Sequence, residues 1–192
     1  MLSTELQLAI APARTYGRLV DNGEGGRAGA LAPIAFSALA TGLTVAFLAS
    51  RWASVELVAT TASSWGFTLA LQLVAACAVI LPGQRRVGLS RAFELFFLGH
   101  APWTLWMLAV GALAITGRGA FGAITAVILS GLLPTMWTAV IVAAFSRTVL
   151  DAGRVGAWLR ALVHLLLIWA FALAYIAWAA GGWMRIVEAL TQ

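Results

Sequence analysis

The chain has 192 residues, of which 62% are hydrophobic and only 10% charged, and its net charge is +5. A soluble domain carries roughly 25% charged residues, so this composition excludes a soluble enzyme, a disordered chain and a disulfide scaffold. With a mean hydropathy of +0.95, it predicts an all-α, polytopic integral membrane protein.

The first 27 residues are expected to form a cytoplasmic segment. Pro12 suits the first turn of a helix. From Pro12 to Val20, Tyr16, Leu19 and Val20 make an apolar side, and Arg14 and Arg18 lie on another. Asn22-Gly23 stops this short amphipathic helix, which fits the membrane interface. Glu5, Asp21 and Glu24 interrupt the segment and no apolar core follows a basic start. The first span is therefore expected to act as an uncleaved anchor.

Five apolar stretches reach or exceed the roughly 20 residues needed to cross the hydrocarbon core. They are residues 28–50, 57–81, 92–115, 120–145 and 161–180, followed by a short external tail, 181–192. Glu94, at the start of the third, is the one charge they contain. The connections are too short to house a soluble domain.

Small residues recur every four positions at Ala38, Gly42 and Ala46, at Ala62, Gly66 and Ala70, and at Gly122, Ala126 and Ser130. Such spacing lets helices approach closely. Cys77, the single cysteine, reads as a small core residue. Pro102 and Pro134 should bend the third and fourth spans, since each removes a backbone donor.

All twelve basic residues are arginine, a bias that suggests a bacterial origin. Taken in order, the six non-membrane segments hold Arg14, Arg18 and Arg27; Arg51; Arg85, Arg86 and Arg91; Arg118; Arg147, Arg154 and Arg160; and Arg185. This alternation of three and one places the N-terminus in the cytoplasm of a bacterial inner membrane and the C-terminus outside. The arginines form no basic stripe, so nucleic acid is not expected as a partner.

Chemistry-bearing residues are few. His100 and His164 fall on different spans, and no His, Asp and Glu cluster suggests a metal site or a catalytic triad. No catalysis, metal or cofactor is expected. His100, nine residues beyond Arg91, is the candidate ligand position, because an ionisable group at that depth defaults to a functional hypothesis. It could ligate a heme or chlorin, relay protons, or bond a carbonyl freed by Pro102. Gln72 reads as an inter-helix hydrogen-bonding group, and Glu94 as the ion-pair partner of Arg91 or an anchor for a partner or lipid headgroup.

Of nine tryptophans, Trp52, Trp178 and Trp183 suit an outer aromatic belt and Trp158 an inner one. Trp103, Trp106, Trp137 and Trp169 fall within spans and could pack on lipid, pigment or a neighbouring helix.

The segment "IAPARTYGRLVDNG", with Pro12, Tyr16 and Leu19, resembles the opening of bacterial members of the Yip family of five-span membrane proteins. The third-span stretch "LGHAPWTLWML" is similar to that family's small-Pro-aliphatic segment. The resemblance implies five spans, a cytoplasmic N-terminus and no catalytic residues.

The function expected is that of a non-catalytic accessory or organising subunit, touching membrane lipids and other membrane proteins or a second copy of itself. Arg14, Arg18, Arg85, Arg86, Glu94, Trp103, Trp106 and Trp169 are its candidate contact residues. The alternatives are a subunit of an energy-transducing complex that touches a pigment or heme, and a component of a small-solute transporter or channel. A colourless, flux-free sample that retains a stable self-complex or partner would separate the first reading from both.

Overall fold

The computed structural model describes residues 4–23, 31–50, 52–64, 67–115 and 129–179. Every regular element among them is a helix: α1 (Thr4–Ile10), α2 (Pro12–Asp21), α3 (Leu31–Ser50), α4 (Val55–Ser64), α5 (Phe67–Ile80), α6 (Leu89–Leu98), α7 (Ala101–Ile115), α8 (Leu132–Thr148) and α9 (Arg154–Ala179). Two stretches, Leu89–Leu113 and Arg154–Ala174, are long and apolar enough to cross a membrane. Three shorter apolar helical segments, Ala35–Phe47, Ala70–Ile80 and Leu132–Thr148, accompany them.

The amphipathic helix expected after Pro12 is α2, with Pro12 in its first turn. A second helix, α1, precedes it, and the Ala11 amide still donates to the Gln7 carbonyl across the join (2.9 Å). The apolar side of α2 turns inward: Tyr16 is fully buried, and Leu19 and Val20 pack against the core. Trp137 ties the segment down by donating from Nε1 to the Ala9 carbonyl (2.7 Å). The apolar face of α2 therefore rests on protein, where the sequence pattern suggested the membrane interface.

The third predicted span is divided. Gly99 ends α6, its amide donating to the Phe96 carbonyl (3.1 Å), and the His100 amide donates to Phe97 (3.3 Å). These are tighter i-to-i−3 bonds. Pro102, the second residue of α7, has no N–H for the Leu98 carbonyl. The proline thus sits in the first turn of a new helix, where the missing donor is harmless. Pro134 is placed in the same way, three residues into α8. Both prolines lie in the first turn of a helix, just after the turn at Gly99-His100 or at Gly131.

The fifth span begins earlier than its hydropathy suggested, at Arg154. Residues 120–128, Ala180 and the tail 181–192 lie outside the described residues, as do Gly66, Gly122, Ala126, Trp183 and the side chain of Trp178.

Helix α3 packs against both α4 and α7. Gly42 is the point of closest approach: a Cβ there would stand 2.7 Å from the Val58 carbonyl oxygen and 2.9 Å from the Ala62 Cβ. Two of the small-residue stripes therefore meet at this pair. The contact of α3 with α7 includes polar pairs, with Ser37 and Thr104 hydroxyls 3.1 Å apart and Thr44 donating to the Met107 carbonyl (2.7 Å). Helix α9 packs against α5 and α8, and α2 lies along α8.

The main core occupies one end of this second group. It joins Leu8 and Tyr16, Val79 and Ile80, Leu95 to Phe97, Ile141, Phe145, Leu150 and Ala161. The same end gathers the arginine-rich segments. The Arg86 amide donates to the Val149 carbonyl (2.9 Å), its side chain meets Asp151 (3.3 Å), and Arg160 donates to the Pro82 carbonyl (2.5 Å). Loops 81–88 and 149–153 are thus neighbours, with α2 on the same cluster of core residues.

Candidate functional site

Six aromatic rings, from α2, α6, the α6–α7 turn, α8 and α9, meet there. Tyr16 of α2 packs edge-on against Phe145 of α8, with ring centroids 5.5 Å apart. Phe145 meets Phe96 of α6 at 5.4 Å. Phe96 in turn touches both histidines, His100 and His164, each at 5.4 Å. Phe97 stacks on His100 (5.5 Å, 28° between planes). The two imidazole centroids are 6.3 Å apart, with the ring planes at 76°.

Local sequence explains each placement. His100 follows the α6–α7 break, one turn beyond Phe96. Gly99 is needed at the break because a Cβ there would stand 2.7 Å from the Tyr16 hydroxyl and 2.8 Å from Ile141 Cγ2. His164 completes the inward stripe of α9. Ala157, Ala161 and His164 are buried, whereas Val155, Leu159, Leu162 and Leu166 point outward. Two alanines let α9 come close enough for the third residue of the stripe to reach the ring cluster.

Both histidines are more than nine-tenths buried. None of their four ring nitrogens has a hydrogen-bond partner among the described residues. The Phe96 and Phe97 carbonyls approach the His100 ring without bonding geometry. A buried polar atom left without a partner costs about 1–3 kcal/mol, so this pair is the least satisfied polar feature of the core. The sequence places the two histidines on separate spans; it does not show that they meet. No group of three His, Cys, Asp or Glu side chains gathers among the described residues.

The geometry bears directly on a heme held between the two histidines. Phe96 is equidistant from both imidazoles, so its centroid lies in the plane bisecting the line between them, closer than 5.4 Å to the midpoint. A porphyrin held axially by both rings would have to occupy that plane. The Phe96 ring fills the space, and the pair does not fit such a group.

The other candidate residues are spread over the molecule. Arg14 and Arg18 are exposed on α2, and Arg18 donates to Gln7 Oε1 (2.7 Å). Arg85 and Arg86 are exposed in loop 81–88, where Arg85 donates to the Ile80 carbonyl (3.3 Å). Glu94 is buried and ion-paired with Arg91 (3.0 Å). That pairing removes it from the surface on which a partner or headgroup would sit. Trp103 and Trp106 pack on each other (5.5 Å), both half-buried, and Trp106 donates to Ser130 Oγ (3.1 Å). Trp169, half-buried on α9, is remote in sequence from both. Gln72 and Cys77 are half-buried on α5. A cleft of about 450 Å³, lined by Glu5, Phe36, Phe97, His100, Thr104 and Leu105, opens beside the His100 segment.

Comparison with known proteins finds no matching family model, no matching curated protein and no matching solved structure. The likeness to the Yip family rests on the segments around Pro12 and Pro102 alone.

Proposed function

We propose that this chain is a five-span protein of a bacterial inner membrane, with its arginine-rich end in the cytoplasm. It acts as a non-catalytic accessory or organising subunit, through contact with lipid and with other membrane proteins or a second copy. The outward face of α9 carries this reading. In the stretch Arg154–Ala174, mean hydropathy is 1.9 yet only 17% is buried by the rest of the chain, against 44% for Leu89–Leu113. Helix α8 continues the surface with Leu133, Met136 and Val140. Water would not tolerate so continuous an apolar face, whereas lipid or a partner helix covers it without cost.

The Yip-like opening belongs to the same proposal, with α2 docked on the core as a cytoplasmic clasp. The exposed arginines at that end would attract anionic lipid at about 1 kcal/mol each.

The test is an alkaline carbonate wash of membranes, followed by purification in native nanodiscs with an absorption spectrum and a protein inventory. The reading predicts that the chain stays in the membrane and copurifies with a stoichiometric partner or as a defined oligomer. Release by carbonate, or a lone monomer that carries solute flux, would overturn it.

A further inference from the structure

We propose that His100 and His164 form a two-coordinate site for a monovalent d10 cation, copper(I) or silver(I), bridging the α6–α7 break to α9. The site does not depend on the accessory role proposed above.

Four observations lead there. The two rings come from separate helices and are each more than nine-tenths buried. All four ring nitrogens lack a partner among the described residues. Their centroids are 6.3 Å apart. Phe96 closes one side at 5.4 Å from each ring, and Phe97 covers a face of His100.

The spacing selects what lies between them. A direct hydrogen bond between imidazoles, with nitrogens about 2.9 Å apart, would bring the centroids to roughly 5 Å. The observed separation is too long for that. With one nitrogen of each ring turned along the line between the centroids, a linear bridge with two metal–nitrogen bonds of about 2.0 Å sets them roughly 6.3 Å apart. One atom fits, and the Phe96 ring bars anything the size of a tetrapyrrole.

Charge and ligand count select the ion. Two nitrogen donors are present; Glu94, the buried carboxylate of α6, is committed to Arg91, and Glu5, partly exposed, lines the cleft beside His100. A divalent ion would need two more ligands and compensating negative charge to survive in a low-dielectric core. Arg160, one turn before His164, adds positive charge and turns its guanidinium toward Pro82. A singly charged ion content with two imidazoles meets all these conditions.

The experiment uses the full chain carrying Cys77→Ser, which removes the one thiol, purified and reconstituted in nanodiscs. It is titrated with silver(I), and with copper(I) under anaerobic conditions against a competing chelator. X-ray absorption of the copper-loaded protein then reads the ligand set. The proposal predicts one equivalent bound, with two nitrogen scatterers and a linear two-coordinate edge. In His100→Phe and His164→Phe, which keep an aromatic ring but remove its nitrogens, affinity should fall by more than the roughly 10–100-fold that loss of an outer-shell partner costs. No stoichiometric binding, sulfur scatterers, or binding unchanged in both variants would each overturn it. Failure to bind would instead leave a water between the rings. The spectrum of the unmutated pair decides the matter even where a phenylalanine variant misfolds.

Discussion

At the scale of single residues, Gly99 and Tyr16 hold the site together. The Gly99 backbone is close to helical (φ −77°, ψ 1°), so alanine there suffers no conformational strain. Its methyl would, however, collide with the Tyr16 hydroxyl and Ile141. Gly99→Ala should cost about 1–3 kcal/mol, the usual range for an overpacked core. Gly88→Ala, with open space around it, should stay near neutral. Thermal unfolding in a mild detergent, followed by circular dichroism, measures both.

Tyr16 also predicts a pH dependence. Burial pushes its phenol well above the ordinary value, which is about 10. Below pH 10 the phenol is neutral folded and unfolded, and its contribution is intact. Above that, the unfolded chain ionises and the folded one does not, so stability falls as pH rises. The chain has no lysine, and arginine stays charged, so few other groups titrate there. Tyr16→Phe should move the alkaline unfolding midpoint upward, read by the phenolate absorbance of the parent protein and by circular dichroism of both. An unchanged midpoint would contradict the burial of Tyr16.

At the scale of elements, hydropathy made the apolar segments legible but not their joints. The division of Leu89–Leu113 depends on Gly99 and Pro102 acting together, and a proline alone reads as a bend. The inward turn of α2 was equally hidden. An amphipathic helix has the same pattern whether its apolar side meets lipid or protein, and only the partner surface around Phe145 distinguishes them. The small-residue stripes were more informative. Gly42 and Ala62 do meet, so Gly42→Leu should separate α3 from α4 and destabilise the protein far more than Gly17→Ala, which projects into open space. Comparative detergent-resistance assays of the two variants test the difference. His164 belonged to a readable stripe, with Ala157 and Ala161, yet its meeting with His100 depends on how α9 packs.

At the scale of the whole molecule, the arginine pattern is the most far-reaching sequence signal. Residues of three separate arginine-rich segments come together at one end, through Arg86 with Asp151, Arg160 with Pro82, and α2 on the shared core. The Arg86–Asp151 pair itself is more than half exposed, so its own contribution should be about 0–1 kcal/mol. Its value is in marking which segments share a side. Span count is less legible, because the fourth predicted span begins at residues 120–128, which lie outside the described residues.

In the proposed topology, the arginine-rich end faces the cytoplasm of a membrane that the chain crosses five times. Single cysteines placed at Arg14, Arg86, Ala152, Arg51 and Arg118 in a Cys77→Ser background, probed with an impermeant thiol reagent on intact and opened cells, test it most directly. Positions 14, 86 and 152 should label only after the cells are opened. Positions 51 and 118 should label in intact cells. Labelling of 86 or 152 from outside, or of all five positions from the same side, would contradict it.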